Sequence, residues 1–228
     1  MFLSWIPYGY IFETQIIEIL LEHFFVVPAL RNETILCFVE IEALEIDENE
    51  PNFKVYLEKQ CITYCKFVHK VLEFTSGANL AEEYSKVHSR QAQNFERFCR
   101  HLSLLLSGFL KNNLRRLEEV CEAAPMSETT HAFEASIKQG LFYMLQMSSI
   151  PEDELFKICV EFWNFFTYHV FVTGYHAGDD KEIGMSVPDS QGAFSSPQPP
   201  KPPALLLNNS NLQQHVYPPV LDELVVVL

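Results

Sequence analysis

Cysteine and histidine are the residue types in this chain with the clearest capacity for chemistry, and three of them share one stretch. Cys61, Cys65 and His69 are spaced four residues apart, which places them on one face of a helix. Thiolate and imidazole are ligands that Zn²⁺ prefers. Three ligands spread over two turns cannot easily close around one ion, and the sequence offers no evident fourth ligand. Val68 and Leu72 continue the stripe, so we expect all three side chains to pack in a core.

The residue patterns that support catalysis are also missing from the sequence. There is no G-x-S-x-G nucleophile elbow, and His69, His88 and His101 lie in helical patterns without a marked partner. The chain has only eight glycines and no glycine-rich phosphate loop. The acidic stretch 45–50 lacks the spacing of a calcium loop and is interpreted as a solvated loop. We therefore expect a binding protein, with no catalytic residue, no cofactor and no metal site.

Composition and charge narrow the class of partner. The 228 residues are 48% hydrophobic, with 30 acidic and 16 basic side chains and a formal net charge of −14. This balance argues against nucleic-acid binding, which usually shows a basic face. It suits a positively charged partner or a soluble cytosolic surface. The cysteines sit in apolar helical patterns, typical of reduced core thiols in an intracellular protein; they are Cys37, Cys61, Cys65, Cys99, Cys121 and Cys159.

The apolar residues 2–12 at the start of the chain are neither a secretory signal nor a membrane span. No basic residue precedes them, Pro7 and Gly9 interrupt them, and no small-residue cleavage site follows. Glu13 and Glu18 arrive too soon for a span of about 20 apolar residues. We expect residues 2–12 to form a core helix whose partners lie upstream, so that the chain is a piece of a longer protein.

Hydrophobic spacing predicts helices almost throughout, without convincing strand alternation. Thr14 is the expected N-cap of the second helix, and the stretch 76–79 should end the fourth. In the last of these helices, apolar side chains on two faces predict burial between neighbours; Leu155, Cys159, Phe162, Phe166 and Val170 form one face, and Phe156, Val160 and Trp163 the other. The predicted helices cover residues 2–12, 16–25, 29–41, 53–74, 91–110, 129–147 and 151–172.

The sequence divides into three parts. Residues 1–175 carry the helical pattern. Residues 176–216 are rich in Gly, Ser, Pro, Gln and Asn, a composition that predicts a disordered linker. In residues 217–228, Pro218 or Pro219 would open a further helix.

Pairing of successive helices predicts an all-α fold of the α-solenoid type. The pairs would be 16–44, 53–111 and 129–172, with 2–12 as the second helix of a preceding pair. Residues 30–41 fit the second helix of a HEAT repeat, with small side chains at Thr34 and Cys37. Arg31 would be its structural arginine, bridging to an acidic group or a carbonyl of the adjoining repeat; the alternative is an ordinary surface arginine.

Long, unusual strings in the chain resemble the exportins, the receptors for nuclear export signals in the karyopherin-β family. The residues that carry this resemblance are WIPYGYIFET (5–14), QNF (93–95), LSLLLSGFLK (102–111) and FKICVEFWN (156–164). The resemblance extends over about residues 2–174 in colinear blocks, and VYPPVL (216–221) resembles the start of a further repeat.

The resemblance implies a HEAT-repeat receptor that shuttles between nucleus and cytoplasm through the nuclear pore. Its implied partners are the GTPase Ran in its GTP form, nucleoporins, and leucine-rich export-signal cargo bound by repeats outside this chain. Neither nucleic-acid binding nor membrane insertion is implied. No Ran-contact or cargo-contact residue can be matched by motif. Acids on helices 91–111 and 151–172 are the hypothesised surface for a basic partner. The alternative is another HEAT-repeat scaffold, importin-like or a phosphatase scaffold.

Overall fold

A computed structural model of the chain describes residues 6–44, 49, 51–87, 89–123, 128–175, 212 and 216–227. These residues form helices and connecting turns, without strands, as the all-α prediction requires. The expected linker 176–216 lies almost entirely outside them, as do residues 2–5 of the first expected helix. The helices are α1 (Tyr8–Glu13), α2 (Ile16–Ile19) running into a π-helical turn (Leu20–Phe24), α3 (Arg31–Glu42), α4 (Phe53–Thr75), α5 (Leu80–Lys86), α6 (Ser89–Ala123), α7 (Glu128–Ser148), α8 (Asp153–Tyr175) and α9 (Tyr217–Val227).

The helices stack in two rows, as in a HEAT-repeat solenoid. One row is α4, α7 and α9, and the other is α3, α6 and α8; each helix packs on the next member of its row. The α6 helix also packs on α7, and α7 on α8, so that the rows share one continuous core. The predicted pairs 16–44, 53–111 and 129–172 therefore correspond to successive layers of a solenoid.

Two tyrosines of α4 pack against glycines of two neighbouring helices. A Cβ on Gly9 of α1 would lie 2.5 Å from the Tyr56 hydroxyl oxygen, and a Cβ on Gly140 of α7 would collide with the Tyr64 hydroxyl. The Tyr64 ring also stacks on Phe109, with ring centroids 3.8 Å apart. These close contacts require the absence of a side chain at both glycines.

The α6 helix is longer than the predicted 91–110. Its buried stripe continues through Leu114, Leu117 and Cys121, at the i, i+3 and i+4 spacing of a helix. Arg115 and Arg116 interrupt the apolar pattern in the sequence and conceal this continuation. The short α5 helix was not predicted; Asn79 caps it by accepting hydrogen bonds from the backbone N–H groups of residues 81 and 82.

The helix termini confirm one prediction and correct another. Ser76 and Gly77 have φ values of 50° and 71° and end α4 in a left-handed turn, within the predicted stretch 76–79. Thr14 is not the N-cap of α2, because Gln15 occupies that position. The Thr14 hydroxyl instead donates back to the Tyr10 carbonyl at 2.9 Å, closing the end of α1.

The α8 helix buries one of its two predicted apolar faces. Leu155, Cys159, Phe162 and Phe166 are fully buried. On the second face Trp163 is buried, but Phe156 and Val160 are 48% and 40% exposed. The prediction of burial on both faces is therefore wrong for the described residues, because α9 covers that side only in part: its Val226 and Val227 line an open cleft with Phe156.

The cysteines are all free thiols, and four of them are buried. Burial raises the pKa of Cys61, Cys99 and Cys121 to about 12, which disfavours the reactive thiolate. None of the helices in the described ranges is long and apolar enough to cross a membrane.

Candidate protein-binding surfaces

Arg31 stands at the start of α3, where three segments meet. Its Nε donates to the Phe25 carbonyl at 3.1 Å and its Nη2 to the Val26 carbonyl at 3.4 Å. These carbonyls end the π-helical turn and lack helical partners. The guanidinium also lies 3.7 Å from the centre of the Phe74 ring of α4, a cation–π geometry. The carbonyls thus belong to the helix pair of Arg31 itself, and the adjoining pair contributes the Phe74 ring. Assignment as the structural HEAT arginine stays a prediction.

An open cleft of about 380 Å³ lies beside Arg31. Its walls come from the turn before α3, the end of α4 and the start of α6. Aromatic side chains form most of its apolar surface, while Arg31 and two asparagines supply polar groups. The lining residues are Pro28, Arg31, Asn32, Phe74, Val87, Asn94, Phe95 and Phe98.

The floor of this cleft is fixed by hydrogen bonds between α3 and α6. The Asn32 amide Nδ2 donates to the Asn94 carbonyl at 3.2 Å and to its side-chain Oδ1 at 2.9 Å. His101 Nδ1 lies 3.2 Å from the Asn32 carbonyl, and burial lowers the pKa of this histidine. The Arg97 guanidinium pairs with Glu33 at 2.9 Å. Because these contacts hold α3 and α6 together, the cleft between the helices keeps a fixed shape.

A buried carboxylate links three helices deeper in the stack. Glu42, at the end of α3, is 8% exposed. Its Oε2 accepts from Gln60 at 2.8 Å, and its Oε1 accepts from Asn112 and Asn113 at 3.3 and 3.1 Å. Burial raises the Glu42 pKa to about 7, although these amide donors favour the charged form. The nearby Tyr8 hydroxyl is buried without a hydrogen-bond partner in the described structure.

A second buried carboxylate joins α9 to the rest of the solenoid. Glu118 of α6 is 6% exposed. The Tyr217 hydroxyl donates to its Oε1 at 2.8 Å, and His169 Nε2 of α8 lies 2.9 Å from its Oε2. Three helices that are distant in sequence thus meet at one polar group.

The acidic surface that the sequence suggested has a different position in the structure. Within 91–111 the only acid is Glu96, which pairs with Arg100 at 2.9 Å. Arg100 also binds Glu152 at 3.0 Å, so this part of α6 presents no acidic surface. On α8, Asp153 and Glu161 are exposed and form no ion pair within the described ranges. Within the described ranges, the exposed acids of this row that form no ion pair therefore lie on α8 and at Glu122 near the end of α6.

The residues considered for a metal site do not come together. Cys61 is buried, Cys65 is half-buried and His69 is exposed, with its Nε2 3.3 Å from the Glu73 carboxylate. The two cysteines pack in the core as expected, but the prediction is wrong for His69, which points to solvent. In the described ranges, no three Cys, His, Asp or Glu side chains are arranged to hold a metal ion.

Sequence reasoning missed the buried polar groups and the cleft. Glu42 follows Ile41 at the end of an apolar helix, and the adjacent Asn112 and Asn113 interrupt an apolar stripe. These interruptions were the only available signal. The cleft has no linear signal, because Phe74 and Phe95 come from separate helices.

Comparison with known proteins identifies relatives along most of the chain. The family described as "Chromosome region maintenance or exportin repeat" matches residues 135–171. "Protein EXPORTIN 1B" of Arabidopsis thaliana is 32% identical over 178 residues, covering 77% of this chain and 14% of that protein. "Exportin-1" of Schizosaccharomyces pombe is 29% identical over 233 residues, covering all of this chain and 19% of that protein. "Exportin-1" of Drosophila melanogaster is 31% identical over 163 residues, covering 72% and 13%. The chain thus spans less than a fifth of these relatives.

Proposed function

Because this chain is an exportin-1 relative that carries an exportin repeat, we propose that it forms part of a nuclear export receptor. The sequence similarity to exportin-1 proteins along the chain supports this proposal, and the two-row helical stack is consistent with it. The activity is binding, not catalysis. Export-signal cargo and Ran in its GTP form bind such a receptor cooperatively, each raising the affinity of the other. Hydrolysis of GTP on Ran then releases both.

The proposed receptor shuttles between nucleus and cytoplasm and contacts nucleoporins during passage through the pore. In this proposal the described helices serve as a curved spacer that contributes to the ring around Ran, while other repeats hold the cargo. Residues 1–175 are the solenoid segment, residues 176–216 a linker, and residues 217–228 the start of a further repeat.

The row that contains α8 is the proposed surface for Ran. Asp153 and Glu161 of α8 are exposed acids without a cationic partner in the described ranges, and the chain carries a net charge of −14. Such a surface attracts a basic partner and raises the rate of association. In the predicted pairing, α3, α6 and α8 are the second helices of their pairs, and they pack together as one row. In this proposal that row faces the ring that encloses Ran.

Charge reversal on α8 tests the proposed Ran surface. In the complete gene product, Asp153→Lys with Glu161→Lys should weaken binding to Ran in its GTP form by about tenfold at low salt. The loss should shrink at high salt because exposed charges are screened. Glu58→Lys with Glu223→Lys reverses the same number of charges at exposed acids on α4 and α9 in the other row, so it is the matched control and should leave affinity unchanged.

Two other results would point to different conclusions. Equal loss in both variants would assign the effect to net charge and remove the α8 surface from the proposal. Failure of the unmodified protein to distinguish the GTP form of Ran from its GDP form would favour a HEAT-repeat scaffold without Ran dependence, such as an importin-like or phosphatase scaffold.

A further inference from the structure

The Arg31 guanidinium has hydrogen-bonding capacity that its contacts leave unused. It carries five N–H donors, and hydrogen bonds to the Phe25 and Val26 carbonyls use two of them. No carboxylate of the described residues forms an ion pair with it, although the chain has 30 acidic side chains. One face of the guanidinium is covered by the Phe74 ring. The remaining donors can therefore be offered to an external carboxylate at the mouth of the cleft.

Apolar side chains surround this cation on the protein surface. Val26 is 50% exposed, Val27 39%, Leu30 43% and Phe74 40%. Phe74, at the end of α4, lines the cleft itself. The other three belong to the turn before α3 and are close in sequence to the lining residues Pro28 and Arg31. Large exposed apolar groups gathered around a polar anchor are typical of a protein-binding site.

Charge complementarity limits the occupant to one that brings few negative charges. A single arginine can pair with one carboxylate in bidentate geometry. A nucleic acid carries a phosphate charge about every 1.7 Å of duplex, and the net charge of −14 repels such a polyanion. A short peptide with a carboxylate beside aliphatic or aromatic side chains matches both the cation and the apolar walls.

We propose that the cleft formed by Pro28, Arg31, Phe74, Val87, Phe95 and Phe98 is a docking site for a short acidic–apolar peptide segment of a partner protein. A carboxylate of the peptide binds the Arg31 guanidinium, and an adjacent leucine or phenylalanine enters the cleft against the aromatic rings. The cleft shares no lining residue with the acidic α8 surface, so this proposal does not depend on Ran binding.

Fluorescence anisotropy with defined peptides tests the proposal. The probe is a fluorescein-labelled peptide of sequence Gly-Glu-Leu-Phe-Glu-Leu-Gly, titrated with the complete chain. Replacing both Glu by Gln removes the charge, and replacing Leu and Phe by Ala removes the apolar groups. Each change should weaken binding about tenfold or more, because a hydrogen bond to a charged group and the burial of an apolar side chain each contribute about that much to affinity. A single-stranded oligonucleotide with the same label should not bind.

Two variants of the protein locate the binding site. Arg31→Gln removes the cation, and Leu30→Asp places a negative charge at the rim on an exposed side chain that the fold does not bury. Both variants should bind the Glu-containing peptide about tenfold more weakly. Leu30→Asp should reduce the affinity for the Gln-containing peptide much less. The matched control is Val55→Asp, an equally exposed position near the start of α4, about 28 Å along the helix from Phe74.

The outcomes separate the proposal from its alternatives. Loss of binding with Leu30→Asp and retention with Val55→Asp support the cleft even if Arg31→Gln disturbs the turn, which a circular dichroism melt detects. Equal binding of the Glu and Gln peptides, equal binding of the oligonucleotide, or absence of peptide binding at millimolar concentration would each overturn it.

Discussion

Replacement of Glu42 by glutamine should remove a large part of the pH dependence of stability. Burial raises the pKa of this carboxyl from 4.5 to about 7 in the folded chain. One pKa unit corresponds to about 1.4 kcal/mol, so the folded structure opposes ionisation of Glu42 by about 3 kcal/mol. A neutral glutamine has nearly the same shape and does not incur this cost.

The direction of the pH effect follows from proton binding. A carboxyl with a higher pKa in the folded chain binds its proton more tightly when folded, so this group favours folding most at and below pH 4.5. The advantage is lost as the pH rises through 7. Between pH 5 and pH 8 the unfolding free energy of the parent should therefore fall by about 2 to 3 kcal/mol relative to Glu42→Gln.

Urea unfolding at several pH values, followed by circular dichroism, measures this difference. At pH 8 the variant should be as stable as the parent or more stable, because Gln60, Asn112 and Asn113 can rotate their amides to satisfy it. Glu58→Gln, an exposed carboxyl on α4, should show the same pH dependence as the parent. Parallel curves for the parent and Glu42→Gln would refute the reasoning from burial.

Three further changes probe packing at separate places. Gly140→Ala should destabilise the chain by about 1–3 kcal/mol despite the higher helix propensity of alanine, because the new methyl group meets the buried Tyr64 hydroxyl; adding Tyr64→Phe should restore most of the melting temperature. Tyr217→Phe removes a hydrogen bond to a buried carboxylate and should cost about 1–3 kcal/mol, with faster amide exchange throughout α9. The exposed apolar side chains of α8 and α9, such as Tyr168 at 69% and Val226 at 86%, should cause the purified chain to self-associate; light scattering should show a smaller species for Tyr168→Ser with Val226→Lys, and an unchanged mass would contradict this.

The existence and pairing of the long helices were predictable because they depend on local spacing, whereas the short α5 was missed. Apolar residues at i, i+3 and i+4 predicted every long helix, and the HEAT pattern at 30–41 fell on α3. The errors occurred where charge interrupts the pattern, as at Arg115 in α6, or where capping decides the boundary, as at Thr14. These features depend on individual hydrogen bonds that the period does not encode.

The candidate sites were less predictable because their members are far apart in sequence. Arg31 was singled out by its position in a helix pattern, but Phe74 and Phe95, which complete the cleft, have no linear relation to it. The position of Glu42 after an apolar helix is a weak signal of burial, and the amides of α4 and α6 that surround it are distant in sequence. Tertiary contacts determine such sites, and one helix in isolation does not reveal them.

The tyrosine–glycine contacts of α4 limit how the solenoid can deform. The Tyr56 and Tyr64 rings enter hollows left by Gly9 of α1 and Gly140 of α7, two different neighbours of α4. Translation of either neighbour along its axis by one residue would bring a side chain against a ring. Each tyrosine–glycine contact therefore prevents the two helices from sliding past each other. Rotation of one helix about the contact leaves the tyrosine ring in place against the glycine. Elastic motion of this stack should therefore proceed by hinging between successive layers, so that curvature can change while the register of the helices stays fixed.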